Sequence, residues 1–160
     1  MERRWLVAHD FSACADAAAR VAVKDLLDGT TPATIELVHV YQVMPLPTGF
    51  DGAAPGVGLI TLERAVAVES ARRLEKHADS LRADIATMRA QRPNAPEIEV
   101  EIAVRQDAPA EGIIAEANER HVERVTVGTH GRTGLSHFLL GSVAERVVRM
   151  CSVPVLVVKG

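Results

Sequence analysis

The chain of 160 residues is 48% hydrophobic and 24% charged, with a formal net charge of −3 at pH 7. This length and composition are typical of a single globular domain, and we predict one domain over residues 1–160. The slightly acidic balance and the 3% content of aromatic residues argue against a nucleic-acid partner, which requires basic patches or stacking rings.

Two apolar segments separated by an alanine-rich segment open the chain. Trp5-Leu6-Val7-Ala8 is a short apolar run that predicts a buried first strand. Ser12 is the predicted N-cap of the alanine-rich helix that follows, which ends near Leu27. Thr34 to Tyr41 is rich in β-branched residues and predicts the second strand.

The middle of the chain contains a loop, a long helix and an alternating strand. Residues 42–60 carry three prolines and four glycines, a density that predicts a loop. An apolar stripe at helical spacing predicts a helix over residues 61–91 that packs on a sheet. Residues 97–102 alternate strictly between glutamate and apolar side chains, which predicts an edge strand with one solvated face.

The last third of the chain continues the alternation of helices and strands. We predict helices over residues 109–120 and 143–150, and strands over residues 123–127 and Val153–Val158. Regular alternation with mostly apolar strands predicts an α/β fold, in which a parallel sheet carries helices on both faces. Ligands of such sheets bind beyond the carboxyl ends of the strands, where the strand order reverses. Asp10 and the segment after Val127 lie at such ends.

Glycines cluster in the segment after the fourth strand. Gly128 and Gly131 are followed by Gly141 and Ser142, which lead into the last helix. Glycine permits positive φ and close backbone approach, and a helix N-terminus favours an anion, so this pattern can bind phosphate. The spacing matches neither a P-loop nor a dinucleotide fingerprint. On the residues alone, the alternative of a plain tight connection is equally compatible.

Asp10 also has two interpretations. A carboxylate at the end of the first strand can bind a ribose hydroxyl or an adenine amine. It can equally act as a capping residue ahead of the first helix.

Other residues carry no metal, redox or membrane signal. Cys14 and Cys151 are the only cysteines, and we predict both as small buried side chains. The six histidines show no metal-ligand spacing, so no protein metal site is predicted. No apolar stretch suits a signal peptide or a membrane span, and we therefore expect a cytoplasmic protein with no membrane partner.

The segment VTVGTHGRTGLSHFLLGSVAERVVRMCSVPVLVVK, residues 125–159, resembles the signature of the universal stress protein family. The nucleotide-binding members show G-x2-G-x9-G-[ST], which Gly128, Gly131, Gly141 and Ser142 match. The resemblance implies a Rossmann-like five-stranded parallel sheet in the order 3-2-1-4-5. It also implies ATP as the ligand, with Mg²⁺ offsetting the phosphate charge.

The resemblance further implies which residues contact the nucleotide. Those that would face the adenine and ribose are Ala8, His9 and Asp10. The apolar walls would be Val40 and Val127. Those that would follow the ribose and phosphates are Gly128, His130, Gly131 and Arg132. Those that would present helix N–H groups to the outer phosphates are Gly141, Ser142 and Val143.

The resemblance implies a regulatory ATP-binding protein of the stress response that is not an enzyme and that forms a homodimer through Val153–Val158. A slow ATP hydrolase and a dimeric interaction module that binds no nucleotide are the alternatives. Asp107 stands where the family often has glycine, and we expect it to cap the third helix.

Overall fold

The structure, a computed structural model, describes residues 3–43, 57–129 and 140–159. The strands within these ranges are β1 Arg3–Ala8, β2 Ala33–Tyr41, β3 Ile98–Gln106, β4 Arg124–Gly128 and β5 Val155–Val158. The helices are α1 Ala13–Leu27, α2 Val57–Ala90, α3 Pro109–Glu119 and α4 Ser142–Met150. Strands and helices therefore alternate as the sequence pattern predicts.

The strands form one parallel sheet in the order β3-β2-β1-β4-β5. This confirms the predicted α/β, Rossmann-like fold class and its strand order. β1 lies between β2 and β4, with Trp5 in register with Ile35 on one side and Arg124 on the other. The order reverses between β1 and β4, and a crevice therefore forms beyond the carboxyl ends of these two strands.

Each face of the sheet has its own hydrophobic core. Trp5 and Val7 of β1 pack with α1 and α2 on one face, where Trp5 is 1% exposed. Leu6, between them in sequence, packs with α3 and α4 on the other face. Successive side chains of a strand point to opposite faces, and this alternation decides which face each residue at the end of β1 reaches.

The long helix and the edge strand follow the sequence pattern with one difference. α2 begins at Val57, inside the predicted loop of residues 42–60, of which residues 44–56 lie outside the described ranges. Its predicted stripe packs on the sheet, with Leu74, Ala78, Leu81 and Ile85 buried. β3 lies at the edge of the sheet as predicted. No helix in the described ranges is long and apolar enough to cross a membrane.

Of the helix caps predicted at Ser12 and Asp107, the structure has the first and not the second. Ser12 caps α1 as predicted, because its side chain accepts a hydrogen bond from Ala15 N at 3.2 Å. The prediction for Asp107 is wrong: the N-cap of α3 is Ala108, which has an extended backbone and makes no side-chain capping bond. Asp107 Oδ1 instead accepts the N–H of Ala108 at 2.7 Å. Its carboxylate therefore fixes the turn one residue ahead of the helix.

Candidate functional site

The apolar residues predicted as walls lie on one face of the sheet. Ala8, Val40 and Val127 lie at the last or the next-to-last position of three adjacent strands and pack in the core under α3 and α4, where Val127 is 3% exposed. Gly112 brings α3 onto this surface, since a Cβ there would lie 2.6 Å from Val40 Cγ1. Close helix packing therefore fixes the position of the Val40 side chain.

Asp10 follows the end of β1 and shapes the turn into α1. Its Oδ1 accepts the N–H of Ser12 at 3.1 Å, so the carboxylate has a structural role in this turn. Ser12 itself is the N-cap, and Asp10 is not. The hydrogen bond uses one carboxylate oxygen, and the half-buried side chain carries a second, Oδ2, that this bond does not use.

The end of β4 and the start of α4 are tied together by the backbone. The N–H of Gly141 donates to Thr129 O at 2.8 Å, and the N–H of Thr129 donates to Val158 O at 2.8 Å. α4 then begins at Ser142 with Gly141 as its N-cap, and no side chain of the described residues caps it. The first amides of a helix lack intrahelical acceptors, so this helix end offers N–H donors beside the end of β4.

The two glycines that the structure describes in the predicted loop do not use positive φ. Gly141 has φ −61° and ψ 149°, an extended conformation open to any residue. Gly128 also lies outside the left-handed region, and a Cβ there would lie 2.7 Å from Cys14 Sγ. Gly128 therefore does not use the positive φ that glycine permits, and its small size instead lets α1 pack against β4. His130, Gly131 and Arg132 lie outside the described residues.

His9 is placed differently from its predicted neighbours. Its side chain is 3% exposed and points to the face covered by α1 and α2, away from Ala8. His9 Nδ1 accepts the N–H of Phe11 at 3.2 Å, and Nε2 lies 3.2 Å from Asp16 Oδ1. Burial lowers the pKa of His9, which keeps the imidazole neutral at pH 7. The ring of His9 is therefore not at the crevice, and its backbone groups bond to β2, the N–H to Val38 O at 2.8 Å and the carbonyl with His39 Nδ1 at 2.7 Å.

The described residues at the crevice share the carboxyl edge of the sheet. Those on adjacent strand ends or at the start of α4 are Ala8, Asp10, Val40, Val127, Gly128, Gly141, Ser142 and Val143. On the opposite face the structure brings together His9, Asp16 and His77, a group that the sequence reasoning missed. No spacing rule could have found it, because Asp16 and His77 are 61 positions apart.

Comparison with curated proteins gives local matches. Universal stress protein MJ0531 of Methanocaldococcus jannaschii is 40% identical over 62 residues, which are 39% of this chain and 36% of that protein. Universal stress protein MJ0577 of the same organism is 45% identical over 51 residues, or 32% of each chain. The matched segments thus span about a third of the length of these relatives.

Solved structures match over almost the whole chain. That of MJ0577 superposes with a TM-score of 0.72 at 24% identity, covering 100% of this chain and 97% of the other. A universal stress protein from Archaeoglobus fulgidus, in complex with dAMP, gives 0.54 at 20% identity, covering 99% and 98%. Another, in complex with cAMP, gives 0.57 at 21% identity, covering 97% and 95%.

At these identities the superpositions establish the fold, and the family follows from a match to the sequence itself. The model of the universal stress protein family matches residues 1–159. This range contains every strand and helix described above and both sides of the crevice between β1 and β4. The chain belongs to the universal stress protein family.

Proposed function

We propose that this protein binds ATP in the crevice between β1 and β4 and acts as a nucleotide-dependent regulator of the stress response. The observation that carries the proposal is the N-terminus of α4, which has no side-chain cap from the described residues and is tied to the end of β4 through Gly141 and Thr129. Its amides suit phosphate oxygens, because unpaired N–H groups and the helix dipole both favour an anion.

The other residues of the crevice suit the nucleoside part of the ligand. Ala8 and Val40, which are partly buried, offer apolar contacts on the α3 and α4 side, which suits an adenine ring, and the buried Val127 packs behind them in the core. Asp10 carries a carboxylate at the same edge, which suits a ribose hydroxyl or an adenine amine. Relatives of the same fold were solved with dAMP and with cAMP, which supports an adenine nucleotide as the class of ligand.

A bound ATP would carry a phosphate charge that this edge must neutralise. The donors described at the edge are neutral amides, and Asp10 adds a negative charge. Mg²⁺ accompanying the phosphates supplies the missing positive charge in this proposal, and no step of catalysis depends on it. The sequence places Arg132 in the adjoining segment as a further cation, and His130 adds a positive charge there when it is protonated.

We place the protein among nucleotide-binding regulators and not among enzymes. The histidine nearest Asp10 in sequence, His9, is buried on the opposite face, where its imidazole is engaged by Phe11 and Asp16. It therefore cannot act as a general base toward a ligand in the crevice. A cytoplasmic location and a dimer that pairs β5 with its copy belong to the same proposal.

The geometry of β5 supports that dimer. Pro154 O and Val158 O accept hydrogen bonds from Val125 N and Thr129 N of the β4 side. Backbone groups alternate in direction along a strand, so Val155 directs its N–H toward the outer edge. An apolar edge strand of this kind is a surface for pairing with another chain.

Calorimetry on nucleotide-stripped protein tests the ligand. We expect saturable binding of ATP that Gly141→Val abolishes, because a β-branched side chain would cover the first amides of α4. The backbone of Gly141 accommodates valine, so the variant should fold. Asp10→Asn keeps the oxygen that bonds Ser12 and removes the charge, and it should weaken binding. Gly29→Ala is the control. Gly29 lies beside Arg3 at the amino end of β1, away from the crevice, so this variant should bind ATP as the parent does.

The same protein distinguishes the alternatives. A chain that binds no adenine nucleotide, and whose melting temperature ATP leaves unchanged, would be an interaction module independent of nucleotide. Release of phosphate at saturating ATP with turnover of about 1 s⁻¹ or faster would make the protein a hydrolase. Either result contradicts the proposed function.

A further inference from the structure

Three potential metal ligands meet in the cleft between α1 and α2, on the face of the sheet opposite the crevice. His9 follows β1, Asp16 lies in the first turn of α1, and His77 lies in α2. One ligand atom from each residue lies within 4.8 Å of the other two. Asp16 Oδ1 is at the centre, 3.2 Å from His9 Nε2 and 2.8 Å from His77 Nδ1.

The cluster has a buried side and an open side. His9 is 3% exposed and lines the cleft together with Leu37 of β2, whereas the side chains of Asp16 and His77 are 32% and 27% exposed. An ion can therefore reach the three ligand atoms from the cleft. In the same cleft, Arg20 of α1 forms an ion pair with Asp84 at 3.0 Å. The positive charge of Arg20, the cation closest to Asp16 in α1, is therefore neutralised.

We propose that His9, Asp16 and His77 bind a divalent transition-metal ion, with Zn²⁺ the best chemical match. Two imidazole nitrogens and one carboxylate oxygen form a ligand set that Zn²⁺ accepts, with a fourth position left for water on the open side. Zn²⁺ is favoured over Mg²⁺ and Ca²⁺, since those ions prefer all-oxygen sites. The site is separate from the proposed nucleotide crevice and does not depend on it.

Binding changes the proton positions on both imidazoles. In the hydrogen-bonded cluster the N–H of Phe11 donates to His9 Nδ1, so the proton of His9 is on Nε2. Coordination through Nε2 moves that proton to Nδ1, and coordination through His77 Nδ1 moves its proton to Nε2. Each ring coordinates through the nitrogen that carries no proton.

One consequence is specific to this site. When His9 Nδ1 carries the proton, it no longer accepts the N–H of Phe11, a residue with a left-handed backbone at φ 67°. Metal binding therefore alters the turn formed by Asp10 and Phe11. A surface histidine that captures metal from solution would leave this turn unchanged.

Titration of the full-length, tag-free, nucleotide-stripped chain with Co²⁺ tests the site, with the visible d–d absorption as the signal. We expect one Co²⁺ per chain, displaced by Zn²⁺. His77→Ala and Asp16→Asn should each weaken binding at least about tenfold. His121→Asn is the control and should bind as the parent does, since it removes an exposed histidine and asparagine tolerates its φ of 50°. Circular dichroism establishes that each variant is folded.

NMR spectra of the parent chain test the proposal even if a variant fails to fold. In amide NMR spectra of the parent chain, Zn²⁺ should shift the Phe11 resonance together with the ring nitrogens of His9 and His77. Absence of saturable binding, equal affinity in His77→Ala, or Zn²⁺ binding that leaves the Phe11 amide unmoved would each overturn the proposal.

Discussion

Replacing Glu36 with glutamine perturbs a carboxyl group that the fold buries completely. Glu36 lies in the middle of β2 with 0% exposure, and Arg4 Nη1 donates to its Oε2 at 3.1 Å. Its Oε1 accepts no hydrogen bond from the described residues, although Arg120 Nε lies 3.5 Å away. Burial, followed by the neighbouring Glu116 carboxyl with which Glu36 can share one proton, raises the pKa of Glu36 to about 7, against the opposing effect of Arg120 and Arg4.

The raised pKa of Glu36 decides how the stability of the folded chain varies with pH. The pKa of Glu36 is higher in the folded chain than the ordinary 4.5, so folding favours the protonated form. The stabilisation is complete below about pH 4.5 and is lost as the pH rises through about 7. The difference between the two pKa values corresponds to about 3 kcal/mol of unfolding free energy.

Glu116 reduces this figure. Burial acts to raise the pKa of Glu116, but hydrogen bonds, led by the one with Arg120, outweigh burial and lower it. Glu36 thus gains part of its proton affinity at the expense of Glu116, so the pair contributes less to stability than the pKa of Glu36 alone indicates. We expect Glu36→Gln to raise the unfolding free energy by about 1–3 kcal/mol above pH 7, and to have little effect near pH 4.5.

Urea unfolding of both proteins between about pH 5 and about pH 8 measures the difference. Glu101→Gln is the matched control on the same network, because the hydrogen bond from Arg4 lowers the pKa of Glu101. A lowered pKa contributes stability above the unfolded value, so this control should be less stable at high pH. A difference between Glu36→Gln and the parent that does not vary with pH, or a less stable Glu36→Gln at pH 8, would refute the reasoning.

Two further predictions concern β4 and β5. Gly128→Ala should lower the unfolding free energy by about 1–3 kcal/mol, because the new Cβ would lie 2.7 Å from Cys14 Sγ. Urea unfolding should show part of this loss recovered in the Cys14→Ala background, and an equal loss in both backgrounds would contradict the contact. Val155→Pro should convert the proposed dimer to a monomer in light scattering, since it removes an outward N–H. A dimer that survives this substitution does not pair through β5.

Structural features that depend on residues close together in the sequence could be predicted, because the interactions that create them are local. The N-cap at Ser12 depends on a hydroxyl and the amide of Ala15 three residues on, and it is confirmed. The edge position of β3 follows from the alternation of residues 97–102, since a strand in the middle of the sheet would be buried on both faces. The order of the other strands came from the family resemblance, because periodicity does not encode which strands pair.

Features set by distant residues could not be predicted in this way. Glutamate at position 36 gives no sign in the sequence that Arg4 and Glu116 will surround it. Gly128 matched the pattern of a phosphate loop, yet its close neighbour is Cys14, 114 positions earlier in the chain. The start of α2 at Val57 lies in a segment rich in glycine and proline, where local propensity opposes a helix.

The residues that depart from ordinary sequence rules concentrate where β1 ends. His9 buries an imidazole, Asp10 uses its carboxylate to hold the next turn, and Phe11 adopts φ 67° without being glycine. The buried imidazole and the positive φ at Phe11 each carry a cost in stability, and such costs are found mainly where they serve a function. His9 is a residue of the proposed metal site, and Asp10, the next residue in this turn, is a residue of the proposed nucleotide crevice. A single turn, from His9 to Ser12, therefore carries residues of both proposed sites.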